Sequence, residues 1–217
     1  MNTRGKRNSA KSISKSLIFS GFNPNGFKSK ITTIRKLVRE TNSSIVTMQE
    51  TKCNQVGQIS LDGFYTYEHL RSQKEGGGVA LCARKHLSPT FVSDGGDNVE
   101  AITVNIHLKG ITISVTSAYG PQESDNIEKK NAFWTYLSDE ACRAKTSGNG
   151  YVLQGDLNAW MGPKLIKGDV RPQNRNGKLL AEFVKTNNLT CVNSLKLTEG
   201  VVTRIKKCFR QETAKHH

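Results

Sequence analysis

An α/β sandwich with mixed sheets is the fold class this sequence predicts, on three observations. Short apolar runs close repeatedly on polar turns, helix-spaced segments lie between some of them, and two period-two stretches are separated only by Lys109-Gly110. The first two features predict β-α-β crossings and the third a hairpin, and the mixture excludes a purely parallel sheet.

The elements follow in order. Leu17-Ile18-Phe19 is a strand-like run that meets the turn-rich Asn23-Pro24-Asn25-Gly26. Ile31, Ile34, Leu37 and Val38 recur at helical spacing, and Ile45-Val46-Thr47-Met48 reads as a buried strand ending at Gln49-Glu50. Three glycines, Gly76 to Gly78, lead into a strand at Val79 to Cys82. Ala101 to Leu108 and Ile111 to Thr116 are the two arms of the hairpin. Asp125 and Glu128 have capping-box spacing ahead of a helix whose apolar side carries Phe133, Trp134, Leu137 and Ala141. Tyr151-Val152-Leu153 predicts a strand running into Gly155-Asp156. Leu179, Leu180, Phe183 and Val184 mark a last helix, and Leu189 to Val192 a last strand.

With 217 residues the chain suffices for one sizeable domain. The formal charge of +14 at pH 7 is the strongest compositional signal, and such a field attracts polyanions, nucleic acid foremost. Lys and Arg crowd the first 40 residues and return from Arg204 to Lys215. No apolar stretch approaches the roughly 20 residues a membrane-spanning helix requires. No apolar region follows the basic N-terminus, so the chain is expected to be intracellular, nuclear or cytoplasmic, and not secreted. The five cysteines are widely spaced with no Cys-x-x-Cys pair, which argues against a disulfide framework and a zinc site.

Four polar clusters stand where the expected strands end: Asn23-Pro24-Asn25-Gly26, Gln49-Glu50-Thr51, Ala118-Tyr119-Gly120-Pro121 and Gly155-Asp156-Leu157-Asn158-Ala159. Strand ends are where α/β folds commonly assemble sites. Each cluster alone is an ordinary turn or strand exit, and the ordered set of four is far more specific. Glu50 has the chemistry of a single carboxylate ligand for a hard cation, since Mg²⁺ prefers oxygen ligands and keeps several waters. Asp156 and Asn158, two apart at a strand end, are expected to point the same way if the backbone there is extended.

In this order the clusters resemble the endonuclease/exonuclease/phosphatase family, which includes apurinic/apyrimidinic endonucleases and pancreatic-type deoxyribonucleases. The likeness runs from about Leu17 to Thr203. It is strongest to the endonuclease domains of LINE-type (non-LTR) retrotransposons, through Gln49-Glu50-Thr51-Lys52, Gly76 to Leu81 and the run from Asn176 through Phe183 to Leu189. The resemblance implies a four-layer α/β sandwich with two mixed β-sheets, the DNase I-like arrangement. It implies Mg²⁺, with Mn²⁺ as the alternative, held by Glu50, and a catalytic set of Tyr119, Asp156 and Asn158. Asp156 would orient or deprotonate the nucleophile, Asn158 would donate to the scissile phosphate and Tyr119 would meet that phosphate. Asn23 would support the metal site on the substrate side, while Asn25 would shape the turn.

The sequence also departs from that pattern. Phe22 stands where the family usually has Trp, and Thr203-Arg204 lacks the Trp that follows in the family. No Ser-Asp-His occurs, and His216 and His217 have no Asp before them. The expected organisation is therefore a basic disordered arm, residues 1–16, and a domain over residues 17–217 that stops short of the last strand or strands. Two functional readings follow. In one the chain nicks DNA as a retrotransposon-type endonuclease, with a downstream reverse transcriptase as partner in the full-length element. In the other it is catalytically impaired and binds nucleic acid through its basic surface. Cleavage of phosphoinositides or sphingomyelin uses the same core residues, and the high positive charge disfavours it.

Overall fold

Two four-stranded sheets lie face to face in the computed structural model, which describes residues 16–71, 76–163, 166 and 170–195. The basic N-terminal arm before Ser16, Thr203-Arg204, the basic tail and the two terminal histidines lie outside the described residues.

Strands β1 (Phe19–Phe22), β2 (Ile45–Gln49), β3 (Phe64–His69) and β4 (Val79–Arg84) form one sheet in the order β1-β2-β4-β3. Strands β5 (Thr90–Asp94), β6 (Ala101–Leu108), β7 (Ile111–Tyr119) and β8 (Gly150–Asp156) form the other in sequence order. Both sheets are mixed. The pairs β1–β2 and β7–β8 are parallel, and every other pair is antiparallel. The parallel pairs are the two joined through helices, α1 (Ile31–Glu40) and α2 (Ile127–Thr146), because a parallel neighbour needs a crossover. Helix α3 (Arg175–Thr186) follows β8.

Three apolar clusters separate four layers. Ile34 and Val38 of α1 pack on Val46, Met48, Ala80 and Cys82 of the first sheet. Ile45, Val79, Leu81 and Ala83 point the other way and meet Ile102, Val104, Ile106 and Val115 between the sheets. Phe133, Trp134, Leu137 and Ala141 of α2, with Phe183 of α3, cover the outer face of the second sheet at Ala101 and Ala118. Alternate residues of β2 and β4 thus enter different cores, which is why both strands read as unbroken apolar runs. The four-layer sandwich with two mixed sheets is the architecture that the family resemblance implies. Among the described residues no helix is long and apolar enough to cross a membrane, and the four described cysteines are unpaired.

Several sequence expectations need correction. Leu189 to Val192 is not a strand. The Leu189 N–H donates to Val184 O at the end of α3, and residues 192–194 form a 3-10 turn. Asp125 is not the N-cap of α2. Asn126 is, its side chain accepting from the Lys129 N–H, while Asp125 accepts from the Gln122 N–H and pairs with Lys129. Strands β3 and β5, which no periodicity announced, are edge strands, with only Phe64 of the two buried.

One buried charge shapes the loop after β7. Lys130 is only 2% exposed, and its ammonium donates to the carbonyls of Glu123 and Asp125 at 2.6 and 2.8 Å. A buried ammonium is tolerated only when its donors are matched, and here two loop carbonyls match them. The loop so held carries Gln122.

Candidate active site

Four strands from both sheets end at one rim: β1, β2, β7 and β8. Each delivers the polar residue that the sequence places after or at its end. Asn23 follows β1, Glu50 follows β2, Tyr119 closes β7 and Asp156 closes β8. The register sets them side by side, since Tyr119 pairs with Asp156 across the parallel β7–β8 ladder.

Asn23 is the hub. Its amide nitrogen donates to Glu50 Oε1 at 2.7 Å and to Asp156 Oδ2 at 2.9 Å, across 133 positions of sequence. Its Oδ1 accepts from the Asn25 N–H at 3.1 Å, so Asn25 shapes the turn that aims Asn23. The Tyr119 hydroxyl donates to the same Glu50 oxygen at 3.1 Å and accepts from Gln122 Nε2 at 2.8 Å. The structure therefore brings together all four of these predicted residues, and adds Gln122.

Asn158 reaches the site by a route other than the one its spacing suggests. Strand β8 stops at Asp156, and Asn158 has φ of 47°, in the left-handed region, so the two side chains are not aligned by an extended backbone. Asp156 Oδ1 accepts from the Asn158 N–H at 3.2 Å, an Asx-type turn that bends the chain. The Asn158 amide donates at 2.8 Å to the carbonyl of Gly120, the residue after Tyr119. Behind it, Asn158 O accepts from Asn174 at 2.9 Å and from Asn176 at 3.3 Å. Asn176, fully buried, donates to Pro121 O as well, tying the loops after β7 and β8 to the start of α3. These supports escaped sequence reasoning because they act across 16 to 55 positions. The one local signal was Asn174 ahead of Arg175, a good N-cap for α3.

A second support lies behind Glu50. Glu50 and Lys52 both have positive φ, 51° and 52°, and the strained run is pinned by backbone bonds from Thr51 N to Gly78 O and from Lys52 N to Gly77 O. Glu100, paired with Arg71, accepts from the Gly78 N–H at 2.7 Å, so this ion pair fixes the glycine turn against which Glu50 rests.

Burial pushes the Tyr119 hydroxyl pKa up to about 12, and the adjacent Glu50 carboxylate adds to the effect. Tyr119 is therefore a neutral hydrogen-bond donor at any physiological pH. The folded chain holds this proton more tightly than the unfolded chain, whose tyrosine has a pKa of 10.0. The stabilisation is whole below pH 10 and is lost as the pH climbs towards 12. In an alkaline absorbance titration, wild type minus Tyr119→Phe should give a difference with its midpoint near 12. A midpoint at the ordinary tyrosine value would contradict this environment.

The donor set is all oxygen and amide. Among the described residues no group of three or more His, Cys, Asp or Glu side chains converges as a metal site. Glu50 and Asp156 nonetheless turn oxygens to one amide nitrogen, which neutralises neither charge. Two converging carboxylates and an open rim suit a hard cation that keeps most of its waters.

The profile of the Endonuclease/Exonuclease/phosphatase family matches residues 2–194. Craniofacial development protein 2 of Bos taurus is 23% identical over 171 residues, which cover 76% of this chain and 29% of the bovine protein. Among solved structures, the AP endonuclease LMAP from Leishmania major superposes with a TM-score of 0.62 at 13% identity, over 79% of this chain and 66% of that one. The endonuclease domain of TRAS1, a telomere-specific non-LTR retrotransposon, gives 0.59 at 15% identity, over 80% and 73%. At such identities the superpositions speak for the fold. The chain spans less than a third of the bovine relative's length.

Proposed function

The chain belongs to the endonuclease/exonuclease/phosphatase family, and from that premise we propose that it hydrolyses phosphodiester bonds of DNA with Mg²⁺, nicking a strand as the endonuclease of a retrotransposon does. One observation carries the reading: Asn23, Glu50, Tyr119 and Asp156, drawn from both sheets, form one hydrogen-bonded cluster at a shared rim. A structural role alone does not call for two carboxylates on one amide.

Each residue has a task that its position suits. Glu50 would hold the cation, which when bound would neutralise negative charge on a phosphate oxygen. Asp156 accepts hydrogen bonds at both oxygens, from Asn23 and from its own turn, and so is oriented to align an attacking water. Tyr119, held neutral, keeps a hydroxyl proton for the phosphate when it lets go of Glu50. Asn158, gripped through its carbonyl by Asn174 and Asn176, presents an amide donor beside that hydroxyl. The charge of +14 supplies attraction to the DNA backbone, whatever its sequence.

The test is supercoiled plasmid incubated with the chain and Mg²⁺. Conversion to the open circle that EDTA abolishes is the expected result, and an unchanged plasmid would overturn the reading. A second reading is binding without turnover, which the charge of +14 would support by itself. Salt-sensitive retention of DNA with no metal-dependent nicking would decide for it. A reverse transcriptase encoded with the domain is the partner the retrotransposon reading calls for.

A further inference from the structure

Only two tryptophans occur in the chain, and they are placed very differently. Trp134 is in the core of α2, 7% exposed, against Phe133 and Phe183. Trp160 is 42% exposed, two residues beyond Asn158. Successive Cα atoms lie about 3.8 Å apart, so its backbone is within roughly 8 Å of the Asn158 backbone. More than two-fifths of this residue's surface is thus left in water.

The main chain of Trp160 is nevertheless clamped on both sides. Its N–H donates to Asn174 Oδ1 at 2.9 Å, and its carbonyl accepts from the Asn174 N–H at 3.1 Å. Gly177 closes the clamp, since a β-carbon there would stand 1.9 Å from Trp160 O. The structure thus holds an exposed ring on a rigid mount at the edge of the catalytic cluster. The guanidinium of Arg171 sits 5.0 Å from the ring centroid. The stretch from Trp160 to Lys178 carries five Lys or Arg against one Asp.

We infer that Trp160, with Arg171 beside it, is a stacking platform for an unpaired base of the DNA strand whose backbone enters the site. A rigid aromatic face flanked by cations is the combination that binds single strands, because every base has a π-face and every phosphate a charge. The preferred substrate is then DNA with a locally unstacked nucleotide next to the cut, rather than a uniform duplex. This rests on the phosphodiesterase reading for the position of the cut, but its test does not depend on cleavage.

The full chain is titrated in EDTA with a single-stranded oligonucleotide of about a dozen nucleotides, within the span such platforms cover, and with the matching duplex. The single strand should quench the exposed tryptophan's emission, and Trp160→Ala should abolish the quench. That variant should weaken single-strand binding by roughly 5- to 150-fold, while Trp160→Phe retains most of the affinity. Its duplex affinity and the salt dependence should stay nearly unchanged, since no charge is removed. A quench that persists in Trp160→Ala, no quench in wild type, or equal losses on both DNAs would overturn the inference. Should Trp160→Ala fail to fold by circular dichroism, the wild-type quench and Trp160→Phe decide. A plasmid left intact by a chain that shows the quench removes the phosphodiesterase reading and leaves the platform standing. Nicking without a Trp160 effect does the reverse.

Discussion

Asp156→Asn and Glu50→Gln are each expected to lower plasmid nicking by about a thousandfold, on the order of 4 kcal/mol of transition-state stabilisation, and to leave the fold in place. Both changes are nearly isosteric. At Glu50 the remaining carbonyl oxygen can still accept from Asn23 and Tyr119, whereas at Asp156 it can accept from Asn23 or from the Asn158 N–H but not from both. One negative charge is removed in each at the cost of at most one hydrogen bond, and the melting curve separates chemistry from folding. On the proposed reading, Asp156→Asn removes the base that aligns water, and Glu50→Gln weakens the hold on the cation. Raising Mg²⁺ should consequently recover part of the Glu50→Gln loss and none of the Asp156→Asn loss. The double variant should be little worse than the poorer single one, because residues that act as a unit do not add. Either variant retaining a tenth of wild-type nicking, with an unaltered melting curve, would remove these carboxylates from the chemistry.

Gly155→Ala is the second large effect, and it works through the backbone. A β-carbon at Gly155 would lie 1.9 Å from Ala118 O, the main chain of the paired strand β7. No side chain there can move aside. The end of β8 must shift, at a cost of about 2–3 kcal/mol by the usual penalty for overpacking. In a chain of this size that is a fall of roughly 5–10 °C in Tm. Nicking should fall as well, because Asp156 is the next residue and its carbonyl accepts from the Gly120 N–H at 2.8 Å. Gly150→Ala, at the other end of β8, is the control. Its β-carbon would meet nothing nearer than 3.7 Å, and it should melt close to wild type. Equal melting of the two variants would show that β8 does not approach β7 so closely.

Much of this fold was legible where burial is double-sided. β2 and β4 send alternate side chains into two cores, so Ile45 to Met48 and Val79 to Cys82 appear as apolar runs. β3 was not legible because only Phe64 of that edge strand is buried, and Tyr65 stands 50% exposed. Leu189 to Val192 failed in the opposite sense, having a strand's composition and a helix terminus's hydrogen bonds. In the site, Asn23, Glu50, Tyr119 and Asp156 were legible because each stands at a strand end marked by turn chemistry. Gln122, Asn174 and Asn176 were not. Nothing local distinguishes an amide that will hold a loop 16 or 55 positions away from one that faces water.

The positive φ angles at Glu50 and Asn158 bear on how this site would age. Glycine would occupy either position with less strain, so drift governed by stability alone would favour replacing the Glu and the Asn. A chain that still carries both side chains there keeps them against the local conformational preference, and more so at Glu50, since Asn enters this region more readily than Glu. Decay of the site should accordingly be recognisable by thermal behaviour as well as by lost turnover. Glycine at these two positions would mark a relative that had exchanged function for a more relaxed backbone.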